Sequence, residues 1–483
     1  MPSDGSGENL RRRLLQHFRL LFSSAGLHLL DFQGESPQEL RSQRYLLRNY
    51  STLLTDAPTL VLVTYIGIYA IAAIGFLLRI INLGLPKGLV FDEVYYVDGA
   101  RDLLAYGVEV DGSGAEFIVH PPVGKWLIAA GIQVFGNDEF GWRISTAIAG
   151  VVSIILIGLI AHRLFRSRFL TLLATFLATV DGLALVHSRT SLLDNFLTTF
   201  ILAATYFFIR KNYLATAIFL GFALGTKWSA AYFIAIFGAI ALYRAFTHHT
   251  GRDLIKPSLQ RIATFGIVPV AIYVMSWAGW FLSDRGWGKD YSTNPIASFI
   301  NYHQQMLGFH TGLSEKHTYQ ADPWTWLIQS RPTSFFYQSP KTCGADSCSQ
   351  EVLAMGTPFL WWAGAIAIFV VVGFWIKSIV KRRMEPASTI IVAGMAAGYL
   401  PWFAFQDRTV FSFYSIIFQP FLIFAVVYCA RWFISQNQRL GTIASATFAL
   451  LVFFNFLYFL PIFVGDAITY DAWYARMWLP SWI

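Results

Sequence analysis

The stretch GLVFDEVYYVDGARDLL, residues Gly88–Leu104, places two adjacent carboxylates, Asp92 and Glu93, in an aromatic-rich segment. A long apolar run ends at residue 80, shortly before this stretch. Acidic residues so close to a membrane are costly, and proteins keep them mostly for function. The stretch therefore predicts a membrane span that is followed by a functional loop.

The composition of the whole chain agrees with a membrane protein. The 483 residues are 55% hydrophobic and 17% aromatic, only 13% are charged, and the mean hydropathy is +0.50. A soluble protein carries roughly a quarter charged residues. We therefore expect an all-α polytopic membrane protein.

Apolar runs near 20 residues predict eleven spans. These runs are 59–80, 142–162, 169–186, 192–209, 213–226, 228–243, 260–282, 358–376, 387–405, 412–430 and 440–463. They divide the chain into a basic tail (1–58), a transmembrane domain (59–463) and a C-terminal segment (464–483). The runs 213–226 and 228–243 are the shortest, so their boundaries are the least defined.

The net charge of +8 has its origin in the membrane topology. More than half of the 36 Lys and Arg residues fall in the tail and in the short loops on the tail's side of the membrane. The positive-inside rule then places the N-terminus in the cytoplasm and the C-terminus outside, and an odd number of spans requires the same arrangement. The basic excess needs no nucleic-acid partner to explain it.

Two extracytoplasmic segments, 81–141 and 283–357, are long, and we expect the chemistry there because loops carry function on a rigid scaffold. EVYYVDGARDLLAYG predicts a short amphipathic helix that ends at Gly107. HPPVGKWLIAAGIQVFG and NPIASFINYHQQMLGF predict two further helices, too short to span and typical of the membrane interface. Such helices would cover the bundle where a lipid substrate meets water.

The cysteines indicate a local crosslink. Cys343 and Cys348, in KTCGADSCSQ, lie in the second long loop, on the side of the membrane where disulfides persist. A metal site is the alternative, but no second pair or suitably placed histidine completes one. We favour a disulfide between them and predict no metal site in the chain.

Asp92 and Glu93 have two interpretations. Asp92 caps the following helix and Glu93 occupies its first turn, where both favour the helix dipole. Alternatively, Asp92 is a general base that takes the proton of an attacking hydroxyl, which has a very high pKa. A glycoside hydrolase needs two carboxylates on opposite sides of a sugar, and adjacent residues do not point across a substrate. The pair therefore suits transfer from a lipid phosphate, a leaving group that needs no general acid.

The motifs FDEVYYVDGARDLL and HPPVGKWLI resemble the first extracytoplasmic loop of the protein O-mannosyltransferases, which are polyprenyl-phosphate-mannose-dependent enzymes of the GT-C glycosyltransferase class. The resemblance extends over about residues 60–463. It continues through RISTAIAG from Arg143, SRTSLLDNF with Arg189–Phe196, GTKWSA (Gly225–Ala230), HTYQADPWTWLIQSRPTSF (His317–Phe335) and RTVFSFYSIIFQPF (Arg408–Phe421). The second long loop is too short for the β-trefoil domain of eukaryotic members, so the chain is similar to the bacterial type.

The resemblance implies roles for individual residues. Asp92 matches the catalytic base and Glu93 its acidic companion, which organises donor or acceptor. Further matches to substrate-binding positions are His120, Pro121, Lys125 and Arg143. Lys227 and Arg408 match basic positions that we assign to the lipid phosphate. Arg189 is expected instead to reach water or to pair with a neighbouring acid such as Asp194.

The expected activity is transfer of mannose from polyprenyl-phosphate-mannose to Ser/Thr hydroxyls of exported proteins, with inversion at the anomeric carbon. The expected partners are the lipid donor and the secreted or membrane proteins that accept the sugar. The secretion translocon is a further candidate partner. No cofactor or metal is expected, and the location is the plasma membrane. The alternative is a related GT-C enzyme that glycosylates a lipid or a cell-wall glycan.

Three histidines of the second long loop recur at a regular spacing. His303, His310 and His317 recur every seven residues in the second long loop, which would place them on one helix face. Gly308 and Gly312 interrupt the segment, however. We expect polar loop histidines or contacts to the acceptor rather than a metal site, since zinc needs further ligands close by.

Overall fold

A computed structural model describes residues 62–483, so the predicted tail 1–58 lies outside the described residues. The described chain is a helical bundle with seventeen α-helices. In chain order these are α1 (Leu62–Ile80), α2 (Glu93–Tyr106), α3 (Val123–Phe135), α4 (Glu139–Phe165), α5 (Arg168–Thr179), α6 (Gly182–Arg189), α7 (Leu193–Ile209), α8 (Tyr213–Leu224), α9 (Ala230–His248), α10 (Ile255–Ser276), α11 (Ala278–Leu282), α12 (Pro295–Gly312), α13 (Pro358–Val380), α14 (Pro386–Gly398), α15 (Gln419–Gln436), α16 (Gln438–Val464) and α17 (Tyr470–Tyr474).

The helices confirm a polytopic membrane protein. Within residues 62–483, seven helices are long and apolar enough to cross a membrane, or eight if the pair α5 and α6, bent by 54°, forms one span. Three predicted spans do not meet this standard. Helices α7 and α8 have only 17 and 12 residues, and the span predicted at 412–430 begins as a 3₁₀ helix, Ser412–Ile417, before α15. The count of eleven therefore stays a prediction.

Helix α2 forms where the amphipathic pattern predicts it. Its core-facing positions, among them Tyr96, Val97, Ala100 and Leu103, are buried. The helix ends at Gly107, whose φ of 74° lies in the left-handed region that glycine adopts without steric cost. Helix α2 packs on α3 and α3 on α4, so the first long loop is a folded layer attached to the bundle.

The loop layer also lies closely against the bundle through α3 and α7. A Cβ atom added to Gly124 would come within 2.6 Å of Leu193 Cδ2. Any larger residue at this position would require the Leu193 side chain to shift. Because of this close contact, the segment that precedes α3 is held next to the beginning of α7.

The second long loop contains features that the all-helical expectation missed. Strands β3 (Thr333–Gln338), β4 (Cys348–Ala354) and β5 (Ala467–Thr469) form an antiparallel sheet, and a two-residue pair, β1 (Val110–Asp111) and β2 (Gly114–Ala115), forms a hairpin in the first loop. Cys343 and Cys348 are joined by a disulfide in the connection from β3 to β4. Through β5, the C-terminal segment is part of the second loop's sheet.

Helix α12 is continuous, contrary to the expectation that Gly308 would interrupt it. It runs over 18 residues from Pro295, with the side chain of Asn294 as its N-cap. Tyr302 and Met306, on its buried face, pack with Trp277 and Trp280. These contacts outweigh the modest cost of a glycine inside a helix.

Candidate active site

A cavity of about 510 Å³ opens between the long loops and the bundle. The first loop contributes His120, the turn between α8 and α9 contributes Lys227 and Trp228, and α12 contributes His303 and His310. The segment after α14 adds Trp402, Arg408 and Tyr414. The cavity therefore joins residues that lie far apart in the sequence, including three of the residues predicted to bind substrate.

Asp92 does not itself line this cavity, but it lies within electrostatic reach of the lining residues Lys227 and Asp194, and its side chain does not cap α2. The residue has helical φ and ψ angles, and its side chain makes no capping hydrogen bond. The Tyr96 hydroxyl instead donates to Asp92 Oδ2 over 3.4 Å. Burial raises the pKa of Asp92 to about 6, while Lys227 lowers that pKa and Asp194 raises it. The charges of two cavity residues thus reach this carboxylate.

The backbone immediately before Asp92 is held in an uncommon conformation. Phe91 has a φ of 54°, in the left-handed region that costs a residue with a Cβ atom roughly 1–2 kcal/mol. Its ring stacks on Phe335 at 4.5 Å between centroids and meets Phe413 edge-on at 5.4 Å. These contacts from the second loop and from the segment before α15 fix the turn that presents Asp92.

Glu93 is fully buried and makes no contact with the cavity. Its two oxygens accept from Arg143 Nε and Nη2, each at 2.8 Å. The backbone N–H groups of Val90 and Ser191 also donate to it, again at 2.8 Å. The roles predicted for Glu93 and Arg143 at the substrate stay predictions. In this structure both side chains lie outside the cavity and hold the loop around Asp92 in place.

Lys125 likewise lies outside the cavity lining and forms a buried ion pair, so its predicted role at the substrate stays a prediction. Its Nζ atom lies 2.6 Å from Glu109 Oε1, and both side chains are 4% exposed. Pro121 is buried and does not line the cavity either. Of the predicted loop motif, only His120 reaches the site. Lys125, through Glu109, joins α3 to the remainder of the loop.

Lys227 and Arg408 supply positive charge to the cavity. Lys227 Nζ lies 2.7 Å from Asp194 Oδ2 and 5.4 Å from the centre of the Tyr414 ring. Arg408 packs over the Trp402 ring at 5.8 Å, and its Nε atom has no hydrogen-bond partner among residues 62–483. Asp194, which the sequence interpretation did not place in the site, therefore orients one of the two cations.

A histidine-rich wall faces these cations. The rings of His120 and His310 are 5.3 Å apart, and His303 Nε2 lies 2.7 Å from the Tyr273 hydroxyl. Burial lowers the pKa of all three histidines, that of His310 to about 4, so they are neutral at neutral pH. The seven-residue spacing of His303 and His310 was the sequence signal for this wall.

Arg189 does not pair with Asp194, contrary to expectation. Its guanidinium donates instead to the carbonyl oxygens of Leu78, Arg79, Ile81 and Asn82 at the end of α1. The free carbonyls at a helix C-terminus carry partial negative charge and are good partners for a cation. Arg189 therefore attaches α1 to α6.

Comparisons with known proteins place this geometry in a family. The family model described as dolichyl-phosphate-mannose-protein mannosyltransferase matches residues 69–278, and the C-terminal four-TMM region of protein-O-mannosyltransferase matches residues 295–482. The polyprenol-phosphate-mannose–protein mannosyltransferase of Mycolicibacterium smegmatis is 32% identical, over 85% of this chain and 92% of that protein. Its namesake in Mycobacterium tuberculosis is 31% identical, over 84% and 89% respectively.

Solved structures show the same fold. The protein O-mannosyltransferase Pmt1–Pmt2 complex of S. cerevisiae, bound to the sugar donor, matches with a TM-score of 0.74 at 15% identity, over 87% of this chain and 92% of that one. ArnT from Cupriavidus metallidurans, bound to undecaprenyl phosphate, gives a TM-score of 0.50 at 15% identity, over 81% and 70%. The fold and the family matches thus define an integral membrane glycosyltransferase of the GT-C class. Within that class, this chain belongs to the protein O-mannosyltransferase family.

Proposed function

We propose that this protein transfers mannose from polyprenyl-phosphate-mannose to Ser/Thr hydroxyls of exported proteins, with inversion at the anomeric carbon. One observation carries the proposal. Asp92 is a carboxylate with a raised pKa and no capping hydrogen bond, within electrostatic reach of a cavity that Lys227 and Arg408 make cationic. The names of the relatives, which specify this donor and a protein acceptor, support the choice of substrates.

In the proposed reaction the acceptor oxygen attacks the anomeric carbon of mannose. A new carbon–oxygen bond forms there while the bond from that carbon to the phosphate oxygen breaks. Asp92 takes the hydroxyl proton, which makes the oxygen nucleophilic. The leaving polyprenyl phosphate keeps the bonding electron pair, and Lys227 and Arg408 stabilise its charge. A single displacement of this kind inverts the anomeric centre.

We further propose that the reaction needs no metal ion. A lipid monophosphate is a weaker metal ligand than a nucleotide diphosphate, and two protein cations already face the cavity. Transfer rates measured with and without a chelator test this point directly. Equal rates are expected, and a loss that added Mg²⁺ or Mn²⁺ restores would contradict it.

The proposal places the site on the extracytoplasmic face of the plasma membrane, with the N-terminus in the cytoplasm and the C-terminus outside. The acceptors would then be secreted or membrane proteins, modified as they leave the translocon. Labelling of single cysteines with an impermeant reagent in intact cells tests the orientation. A cysteine at the exposed residue Ser113 should react, whereas one at the exposed residue Arg382 should not.

The central experiment measures transfer of radiolabelled mannose from polyprenyl-phosphate-mannose to a Ser/Thr-rich peptide by purified protein. Asp92→Asn should lower the rate by about 10²–10⁴-fold while the protein remains folded and binds donor. Asp98→Asn is the matched control, because Asp98 lies on the same helix and is exposed. Label transferred to extracted lipid or glycan but not to peptide would replace the protein acceptor with the alternative one. Near-normal activity of Asp92→Asn would exclude Asp92 as the base.

A further inference from the structure

A second, much smaller cavity lies inside the bundle, where α1, α4, α6, α7 and α15 meet. Its volume of about 20 Å³ is enough for one or two guests the size of a water molecule. Polar groups line much of it, which is unusual within a membrane bundle. The polar lining consists of Arg79, Ser153, Ser188, Asn195, Thr198 and Gln419.

Arg79 is the most unusual member of this lining. Its side chain is fully buried, and its Nη1 atom donates to the Gly75 carbonyl oxygen. Its Nε and Nη2 atoms have no hydrogen-bond partner in the described part of the chain. Gln419 is also buried, and its Nε2 atom likewise lacks a partner there. Two buried side chains thus bring unused N–H donors to one cavity.

Arg79 has no salt-bridge partner among residues 62–483. The carboxylate of Asp181 acts on Arg79 from a distance, but it accepts from the backbone N–H of Ala184 and from Trp361 Nε1, at 3.0 and 2.8 Å. The cation of Arg189 also acts on Arg79. A buried charge is costly unless it is paired. An anion in the cavity would supply the direct partner that Arg79 lacks.

The other polar side chains of the lining already have hydrogen-bond partners. Ser188 Oγ and Thr198 Oγ1 donate to the carbonyl oxygens of Ala184 and Asp194. Asn195 Nδ2 donates to the Thr146 carbonyl oxygen, and Ser153 Oγ is hydrogen-bonded to Thr199 Oγ1. In the described chain, the buried donors of this lining without a partner are therefore those of Arg79 and Gln419. Two sets of unpartnered N–H donors, one of them on a guanidinium without a salt-bridge partner, are the features of an anion site.

We propose that this cavity binds one monatomic anion of the halide class, held by Arg79 and Gln419. The small volume excludes sulfate and phosphate. Helix α4 approaches the site closely at Gly150, where an added Cβ atom would lie 2.1 Å from Ser188 Oγ and 2.8 Å from Arg79 Nε. The bound anion neutralises Arg79 and stabilises the contact between α1, α4 and α15.

The test is the melting temperature of the purified protein in chloride, bromide or gluconate at equal ionic strength. Gluconate is too large for the cavity. Chloride and bromide should raise the melting temperature in a saturable manner by roughly 2 °C, whereas gluconate should not. An identical melting curve in all three salts would overturn the proposal and leave water as the guest.

A charged variant distinguishes halide binding in this cavity from effects of halide elsewhere on the protein. Gln419→Glu places a carboxylate beside Arg79, so this variant should melt in gluconate as wild type does in chloride and should not respond to halide. Gln436→Glu is the matched control, since Gln436 lies on the same helix and is exposed, and it should keep the wild-type response.

Two outcomes would overturn the assignment even if wild type responds to halide. The response could persist in Gln419→Glu, which would locate the anion elsewhere, for example at Lys227 and Arg408. It could also disappear in both variants, which would make it an effect of net charge. If Gln419→Glu does not fold, crystals grown in bromide decide the matter. An anomalous peak between Arg79 and Gln419 supports the site, and a bromide peak elsewhere but not there overturns it.

Discussion

Glu93 and Arg143 form a fully buried ion pair with two parallel hydrogen bonds of 2.8 Å, although 50 residues separate them in the sequence. Arg143 Nη1 also donates to the Pro86 carbonyl oxygen over 2.8 Å, and Nη2 donates to that of Gly88 over 3.0 Å. The guanidinium on α4 therefore holds both the beginning of the first loop and the residue next to Asp92. The position of Asp92 depends on this pair.

Breaking the pair should destabilise the protein strongly. Glu93→Gln leaves the Arg143 charge buried without a carboxylate, and loss of one partner of a buried pair costs about 3–5 kcal/mol. We expect a lower free energy of unfolding and a loss of transfer activity together, because Asp92 is displaced. Chemical denaturation monitored by tryptophan fluorescence measures the first, and the peptide transfer assay measures the second.

Lys87→Gln is the control for this prediction. Lys87 pairs with Glu139 over 3.2 Å, and its side chain is 73% exposed. Exposed pairs contribute about 0–1 kcal/mol, so this variant should resemble wild type. A Glu93→Gln protein with wild-type stability and activity would show that the buried pair does not hold the catalytic loop.

The pH dependence of transfer should follow Asp92. A general base acts only when it is deprotonated, so kcat/KM should rise with a midpoint near pH 6, the pKa of this carboxyl group, and level off above pH 7. Neutral histidines do not produce this limb, because burial lowers their pKa values. His310→Gln should therefore leave the midpoint unchanged. Initial rates measured from pH 4.5 to 8 check the profile, and a flat profile would exclude Asp92 as the base.

Local sequence predicts local structure well in this protein, as α2 and Gly107 show, because periodicity and a left-handed glycine act over a few residues. The same is true of the membrane spans that are long and apolar. Local sequence does not predict which buried charges pair with each other. Lys125 pairs with Glu109 and Lys227 with Asp194 across 16 and 33 residues. Which cation meets which carboxylate depends on how helices pack, and no short motif encodes that.

Short motifs also fail to separate residues that contact substrate from residues that hold other residues in place. Matching motifs identified Glu93, Lys125 and Arg143 as important, but a motif does not distinguish a residue that contacts substrate from one that positions another residue. In the structure these three side chains form buried ion pairs outside the cavity lining, which depends on the packing of distant segments. Strand β5 was missed for a related reason, since three residues form a strand only because β4 supplies the hydrogen-bond partners.

Asp92→Asn should make the protein more stable at neutral pH. The folded state raises the pKa of Asp92 from 3.8 to about 6, so above pH 6 the protein must keep a charge in a partly buried place. The contribution of this group to stability is present below pH 4 and is lost as the pH rises through 6. The gain in Asp92→Asn is of the order of 3 kcal/mol at most.

Melting temperatures of wild type and Asp92→Asn at pH 4 and pH 7.5 provide the measurement. The variant should melt higher at pH 7.5, and the difference should shrink at pH 4. Asp98→Asn should show no such gap, since Asp98 is exposed. A gap that is constant with pH would mean that something other than the charge is responsible.

Arg408→Gln should weaken transfer without destabilising the fold. Arg408 has no ion-pair partner within residues 62–483, so its loss leaves no carboxylate unpaired. If it stabilises the leaving phosphate, kcat should fall by about 10²-fold. Steady-state kinetics with the lipid donor and a melting curve test both statements. An unchanged kcat would remove Arg408 from the phosphate site.

Lys227→Met needs a different control, because Lys227 also neutralises Asp194. The single variant should lose both stability and activity. The double variant Lys227→Met, Asp194→Asn removes both charges and should recover stability but not activity. Recovery of transfer by the double variant would show that Lys227 serves only to neutralise Asp194.

Phe91 should act as a positioning residue for Asp92. Phe91→Ala keeps a Cβ atom in the left-handed conformation but removes the ring that packs on Phe335 and Phe413. The turn should then relax to an ordinary conformation and displace the carboxylate. A displacement near 1 Å costs about 10²-fold in rate, so kcat should fall by this factor while KM for the donor changes little.

Two variants accompany this measurement. Phe91→Tyr keeps the ring stacking and should restore most of kcat. Tyr95→Ala, on the exposed face of α2, should behave as wild type, because Tyr95 is 68% exposed. A purely structural role for Phe91 predicts instead a lower melting temperature with an unchanged kcat. The split between kcat and melting temperature therefore decides whether the stacked ring serves catalysis or only folding.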